Sequence, residues 1–301
     1  MAVAPGHVEV GGDSALAAWQ TIGGCGAGAS TGAGGGLKWI GRGTTGGFFN
    51  VQLQSTYTRI SSDPEKPEHH VFGSALITKP LTDRWTAGIS VPLVYKYMTN
   101  PYETEADLSN SGVGDISFLI TRKFGPIGAT SVTGTVGLPT GEYKGEYRLK
   151  ILNQSQQRGF GKPTASLTID HVGDEIWGLT TVGGMASWRG GENEINNYRA
   201  PTASVYGHVG YFLGPLVPAV GLTLSGLTGH DRDQTVEQIT GLYLATASAS
   251  IEWAGDFVAL IVGASVPYQY DGILENTEGQ PRSPWGFGPW MVGFGLSFSP
   301  F

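Results

Sequence analysis

The end of the chain, residues 285–301, alternates between large and small side chains. Gly293, Gly295, Ser297 and Ser299 share one side, and large apolar residues share the other: Trp290, Val292, Phe294, Leu296 and Phe298. A period of two residues is that of a β-strand. One apolar face beside one small, polar face predicts a strand with lipid on one side and water on the other, as in transmembrane β-barrels.

The same alternation recurs along the chain and predicts about twelve strands. In the third, residues 85–97, apolar residues fill every second position and aromatic residues lie at both ends, which is typical of barrel girdles. The first strand carries an unbroken polar row, which suits a wet lumen better than the core of a sandwich. The predicted strands are 48–59, 69–79, 85–97, 115–124, 129–138, 163–172, 176–188, 202–212, 216–225, 242–253, 257–270 and 285–301.

The connections between these strands alternate in length. Those after the even strands are tight turns, such as 81–84 and 213–215, whereas most of those after the odd strands are longer and hold much of the charge, such as 98–114 and 139–162. Outer-membrane barrels separate periplasmic turns from extracellular loops in this way. We therefore predict an all-β, transmembrane, antiparallel up-and-down β-barrel with both termini periplasmic.

Composition agrees with this fold and excludes some functions. The chain has 301 residues, 48 of them glycine, and only 14% are charged. Its net charge of −7 argues against a nucleic-acid partner. Cys25 is the single cysteine, so an intramolecular disulfide is impossible. No secretory signal is visible, and we expect it to have been removed or omitted.

The first 46 residues differ from the rest. They include a run of Gly, Ala, Ser and Thr from Gly23 to Gly36, which has little apolar surface to bury and much entropy to lose on ordering. Two interpretations stay open: a flexible periplasmic tail, or a segment threaded into the lumen as a plug. The predicted division is a tail or plug at 1–46 and a barrel at 47–301.

The polar phase of the strands gives the candidate residues of the lumen and of solute selectivity. They are polar or ionisable and fall on the side opposite to the apolar rows: Asn50, Gln52, Gln54, Thr56, Asp115, Ser117, Thr133, Thr135, Thr168, Asp170, Tyr206, His208 and Glu252. Charges on a low-dielectric wall focus the field in a pore.

Two of these residues have alternative interpretations. Asp115 is either a selectivity charge or a structural residue that caps the start of its strand and fixes the adjacent loop. His208 is either a plain residue of the pore wall or a residue with a ligand-binding or catalytic role.

No arrangement of residues predicts an enzyme or a bound metal. Asp170 and His171 are adjacent, so on a strand they point to opposite faces and cannot form a simple dyad. A lipid-modifying enzyme would need a Ser–His contact on the outer wall, and the strand phases provide none. His69 and His70 beside Glu68 would need further ligands to hold a metal. We expect no catalytic residue, no metal and no cofactor.

Four short stretches, taken in order, resemble a known family: Leu81–Trp85, Gly88–Leu93, Gly112–Ser117 and Gly137–Gly141. Their order and spacing are similar to those of the outer-membrane transporters grouped with the meta-cleavage pathway of phenol degradation. The resemblance implies a barrel channel in the outer membrane of a Gram-negative bacterium, for small organic solutes. The end signal departs from the usual one, because the aromatic phase stops at Phe298 and not at the terminal Phe301.

The functional prediction is a porin-like channel that passes small solutes by passive diffusion, with weak cation preference or uncharged cargo. The alternative is a structural barrel that is plugged and scaffolds a partner protein. Expected partners are outer-membrane lipid, lipopolysaccharide and a small solute. The oligomeric state is left open.

Overall fold

The computed structural model describes the twelve predicted strands and parts of their connections. The described residues are 49–60, 68–98, 108–125, 130–143, 146–147, 150–151, 158–192, 194, 198, 200–227, 230–232, 238–255, 258–275, 281–282, 286–287 and 290–298. Across these ranges, no helix is long and apolar enough to span a membrane. Residues 1–46, for which a tail or a plug is predicted, and the terminal Phe301 lie outside the described residues.

Twelve long strands build the sheet. Their alternating apolar faces carry β-branched and aromatic residues, which favour extended backbone. The strands are β1 (Asn50–Ile60), β2 (Glu68–Pro80), β3 (Trp85–Met98), β4 (two segments, Leu108–Val113 and Ser117–Phe124), β5 (Thr130–Gly137), β6 (Thr164–Glu175), β7 (Gly178–Arg189), β8 (Thr202–Tyr211), β9 (Leu216–Leu227), β10 (Gln238–Ala254), β11 (Val258–Glu275) and β12 (Met291–Phe298).

Shorter strands lie in the connections between the long ones. They are Glu146–Tyr147, Lys150–Ile151, His230–Arg232, Pro281–Arg282 and Gly286–Phe287.

The sheet closes on itself. Each long strand pairs antiparallel with the next along the chain, and β12 pairs with both β11 and β1. At the closure Leu53 lies opposite Leu296, and Thr58 lies opposite Met291. Closure removes the free strand edges that would otherwise promote aggregation. The predicted twelve-stranded, antiparallel up-and-down barrel is confirmed.

The outer wall of the barrel is apolar. Large side chains that are roughly half exposed recur on its strands, including Val205 at 59%, Ile251 at 55% and Leu222 at 51%. On β12 and the residue before it, the outward row contains Trp290, Phe294 and Phe298. Water contact would cost about 25 cal/mol for each Å² of this surface, so the wall is suited to lipid.

The two ends of the barrel differ, and we name them the turn end and the loop end. At the turn end, Leu81–Arg84 joins β2 to β3, and the Thr82 hydroxyl accepts hydrogen bonds from the amides of Arg84 and Trp85 at 3.3 and 3.1 Å. β10 and β11 extend beyond their predicted limits at the loop end, to Gln238 and Glu275. These extensions lack a clear two-residue alternation, so the sequence does not mark them as strands.

Candidate solute pathway

The predicted lumen residues all lie on the inner face of the barrel. Eight of them are buried: Asp115, Ser117, Thr133, Thr135, Thr168, Tyr206, His208 and Glu252. Asp170 and the β1 residues Asn50, Gln52, Gln54 and Thr56 are partly buried. The Asn50 side chain donates to the Ser297 hydroxyl at 3.1 Å, across the closure between β1 and β12. The inner wall is therefore rich in hydroxyl and amide groups.

Asp115 lies in a β-bulge between the two segments of β4. Val113 pairs with Leu93 and Ser117 pairs with Ser90, so three residues of β4 stand opposite two of β3. A bulge of this kind redirects a side chain locally. The Asp115 side chain is consequently buried, at 3% exposure, in a break of the strand and not in the regular ladder.

The Asp115 carboxylate holds both ends of the connection between β5 and β6. Its Oδ1 accepts from the Gly141 amide at 2.9 Å, and its Oδ2 accepts from the Phe160 amide at 3.0 Å. Hydrogen bonds to a charged acceptor are about twice as strong as neutral ones. We call Asp115, Gly141 and Phe160 the loop anchor.

Thr140 reinforces the loop anchor from the other side of the bulge. Its hydroxyl donates to the Gly114 carbonyl at 2.9 Å and accepts from the Ile116 amide at 2.9 Å. Two of the four stretches that carry the family resemblance, Gly112–Ser117 and Gly137–Gly141, therefore contact each other. The structural interpretation of Asp115 matches this geometry, because its carboxylate is used by backbone donors.

An ion pair lies over the inner face of β4, beside the loop anchor. The Arg158 guanidinium is 2.5 Å from the Glu142 carboxylate. Gly112, whose φ is +148°, faces inward opposite Val94, and a Cβ atom there would collide with the Arg158 guanidinium. The positive φ favours glycine at this position, and a side chain there would displace the arginine, which lies on the lumen side of the wall.

A group of hydroxyls without partners covers the inner face of β5, β6 and β8. Thr135 lies beside Ser166, and Thr168 and Ser204 flank Met185 of β7. No described residue offers a hydrogen-bond partner to the Oγ atoms of these side chains. We call this group the hydroxyl patch; it consists of Thr135, Thr164, Ser166, Thr168 and Ser204.

Other hydroxyls of the inner wall pair with each other. Thr121 and Thr133 are 2.9 Å apart, and Ser187 and Thr202 are 2.5 Å apart. Among the described residues, the buried hydroxyls that lack a partner all belong to the hydroxyl patch.

A bridge of two polar side chains borders the hydroxyl patch on the turn side. The Tyr206 hydroxyl donates to Asp170 Oδ1, and the bridge crosses over Gly183 of β7. A Cβ atom at Gly183 would lie 2.7 Å from the Tyr206 hydroxyl, so a side chain there would obstruct the bridge. The ring of His208 is 5.9 Å from that of Tyr206.

A histidine on the outer wall contacts a hydroxyl group, a combination of atoms that also occurs in catalytic sites. His171 Nδ1 and the Thr130 hydroxyl are 2.9 Å apart. The pairing of β6 with β5 puts Asp170 on the other face, next to Ser131, as the alternation predicts. Across the described ranges, no group of three or more His, Cys, Asp and Glu side chains is placed to hold a metal ion.

Comparison with known proteins identifies the fold. The crystal structure of the COG4313 outer membrane channel from Pseudomonas putida F1 superimposes with a TM-score of 0.59 at 12% identity, over 87% of this chain and 99% of that one. The chain has an outer-membrane β-barrel fold. The β domain of the Bordetella autotransporter BrkA is also similar, with a TM-score of 0.50 at 11% identity, over 84% of this chain and 99% of that one. No family model matches the sequence, and no curated protein matches it.

Sequence reasoning missed the residues of this barrel that come from the connection between β5 and β6. Arg158, Glu142 and Phe160 lie in a long connection without hydrophobic periodicity, so no pattern places them in the lumen. Arg189 was also missed, although it ends β7 in the inward phase; its guanidinium carbon is 5.6 Å from the centroid of the Phe160 ring. The one available signal was the Gly-Leu-Pro-Thr-Gly stretch at 137–141, which carries the family resemblance.

Proposed function

We propose that the protein is a narrow channel of the Gram-negative outer membrane that passes small solutes by passive diffusion. The observation that carries this proposal is the polar inner wall with the ends of one connection fixed across it by Asp115. The similar solved structure from Pseudomonas putida F1 is an outer membrane channel by its title, which supports the proposal. In this arrangement the turn end faces the periplasm and the loop end faces the outside.

The strand number supports a narrow pathway. Eight strands leave a lumen almost filled by side chains, and sixteen leave an open aqueous pore. Twelve strands lie between these limits, and the inward-folded ends of the β5–β6 connection narrow the lumen further. Such a lumen suits solutes of the size of a monosaccharide better than polymers.

The charges of the inner wall favour an uncharged solute. Acidic groups are engaged by neighbouring donors: Asp115 by two amides, Glu142 by Arg158, and Asp170 by Tyr206. Basic groups also face inward, and the Lys96 ammonium lies 5.9 Å from the ring centroid of Phe72. With both signs present, a strong field of one sign is not expected.

Recordings from planar bilayers test this proposal. We expect a small ohmic conductance and a K⁺ to Cl⁻ permeability ratio within about twofold of one, because charges of both signs line the lumen. Strong anion selectivity would contradict the proposed solute class. Absence of conductance from correctly folded protein would contradict the channel itself.

A second candidate is a plugged barrel that scaffolds a partner protein. It is favoured by the complete burial of small inward residues beside the start of β1. Ala259 and Ser297 have 0% exposure, and the larger inward side chain beside them, Ile261, is itself 0% exposed. We propose residues 1–46 as the covering segment, since the chain enters the barrel next to this wall at Asn50.

Deletion of residues 2–45 discriminates between these candidates. If the segment occupies the lumen of a channel, its removal should raise the single-channel conductance severalfold, because the ion path widens. A variant of equal length in which residues 2–45 are replaced by a Gly-Ser linker with added Glu residues controls for the loss of chain. Unchanged conductance, together with loss of a co-purifying protein, would favour the scaffold.

Aromatic residues at the loop end support the proposed contact with outer-membrane lipid and lipopolysaccharide. The Tyr57 hydroxyl is 2.8 Å from His69 Nδ1, and the Tyr57 ring is 5.9 Å from that of Trp290. The His69 ring is 6.1 Å from that of Tyr97. Amphipathic rings of this kind collect at the level of lipid headgroups.

We also propose that the chain belongs to the phenol meta-cleavage transporter group. The contact between two of the motif stretches at the loop anchor supports this proposal.

A further inference from the structure

The hydroxyl patch is unusual because its polar atoms are both buried and unpaired. Thr168, Thr135, Thr164 and Ser204 are 1%, 3%, 7% and 7% exposed. Leaving a buried hydroxyl without a partner costs about 1–3 kcal/mol, so native structures satisfy nearly all such groups. Several unpaired hydroxyls on one section of the wall of a wet lumen are therefore completed by water or by a bound solute.

The position of the hydroxyl patch places it directly on the proposed solute path. Thr164 pairs with Arg189, whose guanidinium packs against the Phe160 ring, and the Phe160 amide belongs to the loop anchor. On the turn side the patch ends at the bridge between Tyr206 and Asp170. A solute that passes the loop anchor meets the patch next, with an aromatic residue at each end.

The chemistry of the hydroxyl patch defines its ligand. Each hydroxyl is one donor and an acceptor of two bonds, and it carries no charge. A ligand that satisfies several of these groups at once must itself present several hydroxyls at short spacing. The aromatic ring at either end of the patch offers an apolar face to the C–H groups of a molecule bound there. Resting on the proposed channel function, we propose that the hydroxyl patch is a binding site for an uncharged polyhydroxylated solute, such as a sugar alcohol or a monosaccharide.

Binding of sorbitol to the full-length protein in detergent micelles tests the proposal. Sorbitol carries six hydroxyls, and triethylene glycol of similar size carries two. Comparing their affinities therefore separates the contribution of hydroxyl hydrogen bonds from that of molecular size. Saturation-transfer NMR titrations give both dissociation constants, even where binding is weak. We expect sorbitol to bind at least fivefold more tightly than triethylene glycol. Equal affinities, or no sorbitol binding, would overturn the proposal.

Substitutions that keep side-chain shape locate the site. Thr168→Val should weaken sorbitol binding about fivefold, and the triple variant Thr135→Val, Thr168→Val, Ser204→Ala roughly a hundredfold, because each substitution removes one neutral hydrogen bond. The control Thr246→Val removes a buried inward hydroxyl of β10, outside the patch, and should leave affinity within about twofold. If the triple variant fails to fold, Thr168→Val alone decides. Affinity unchanged in Thr168→Val, or lowered equally by Thr246→Val, would overturn the site.

Different experimental results would contradict the channel proposal and the binding-site proposal. A barrel that conducts KCl but shows no preference for sorbitol would overturn the site and retain the channel. A barrel that binds sorbitol at the patch without conducting would retain the site and overturn the channel.

Discussion

Replacing Asp115 with alanine is expected to release the connection between β5 and β6 and to make it roughly a hundredfold more sensitive to trypsin after Arg158. The reason is that the Gly141 and Phe160 amides would lose the Asp115 carboxylate as acceptor while remaining near the buried wall. Losing such partners costs about 3 kcal/mol in total, which corresponds to roughly two powers of ten in the population of the open connection. Cleavage rates in intact proteoliposomes give this population directly.

The variant Asp115→Asn is the matched control. An asparagine side chain has the same size and retains one carbonyl oxygen, so it can still accept from one of the two amides. We expect an intermediate effect of about tenfold in the cleavage rate. Equal cleavage of the wild type and both variants would show that the carboxylate does not hold the connection. Because the loop anchor narrows the lumen, Asp115→Ala should also increase the variability of single-channel currents.

Leu222→Arg is expected to destabilise the folded barrel in lipid by about 2–4 kcal/mol. Leu222 is the seventh residue of the twelve in β9, it is 51% exposed on the outer wall, and its neighbours across the strands are Gly207 and Ala247. An arginine at this level would face hydrocarbon without a neighbouring acid. Guanidinium titrations in phospholipid vesicles, followed by the gel-mobility shift of folded barrels, measure the loss.

Asp83→Arg provides the comparison for Leu222→Arg. It adds the same side chain in the exposed turn between β2 and β3, outside the lipid-facing wall. An exposed surface substitution usually changes the unfolding free energy by no more than about 0.5 kcal/mol. If both variants lost equal stability, or if Leu222→Arg lost none, the outer wall would not face lipid.

The barrel itself can be predicted from the sequence because a period of two residues reports both faces of a strand at once. The alternation in β3, β5 and β12 was sufficient to assign which residues face outward. It was weakest in β7, where Gly183 and Gly184 are adjacent and remove the contrast between the faces. The structure resolves that strand, with Leu179 buried inside and Val182 and Trp188 exposed outside.

The contents of the lumen are less predictable than its wall. Phase alone places Asp115 on the inner side, but it does not reveal the bulge or the two amides that the carboxylate binds. The Phe160 amide is 45 residues away along the chain, and no local pattern records such a contact. The positions of Arg158 and Glu142 in the lumen cannot be predicted for the same reason. Two residues of the hydroxyl patch, Thr135 and Thr168, were predicted to face the lumen. The sequence cannot show that their hydroxyls lack hydrogen-bond partners, because this depends on which residues the fold brings near them.

The closure of β1 against β12 has a consequence for biogenesis. The hydrogen bond between Asn50 and Ser297 joins residues 247 positions apart. The edge of β1 that pairs with β12 therefore cannot form its hydrogen bonds until β12 has been synthesised. Contacts with such large sequence separation are slow to form because loop closure costs entropy before any contact offsets it. A nascent chain that stops before β12 exposes two unpaired edges, and it is an open, aggregation-prone ribbon and not a smaller barrel. Assembly of this protein is therefore all-or-none with respect to its final strand.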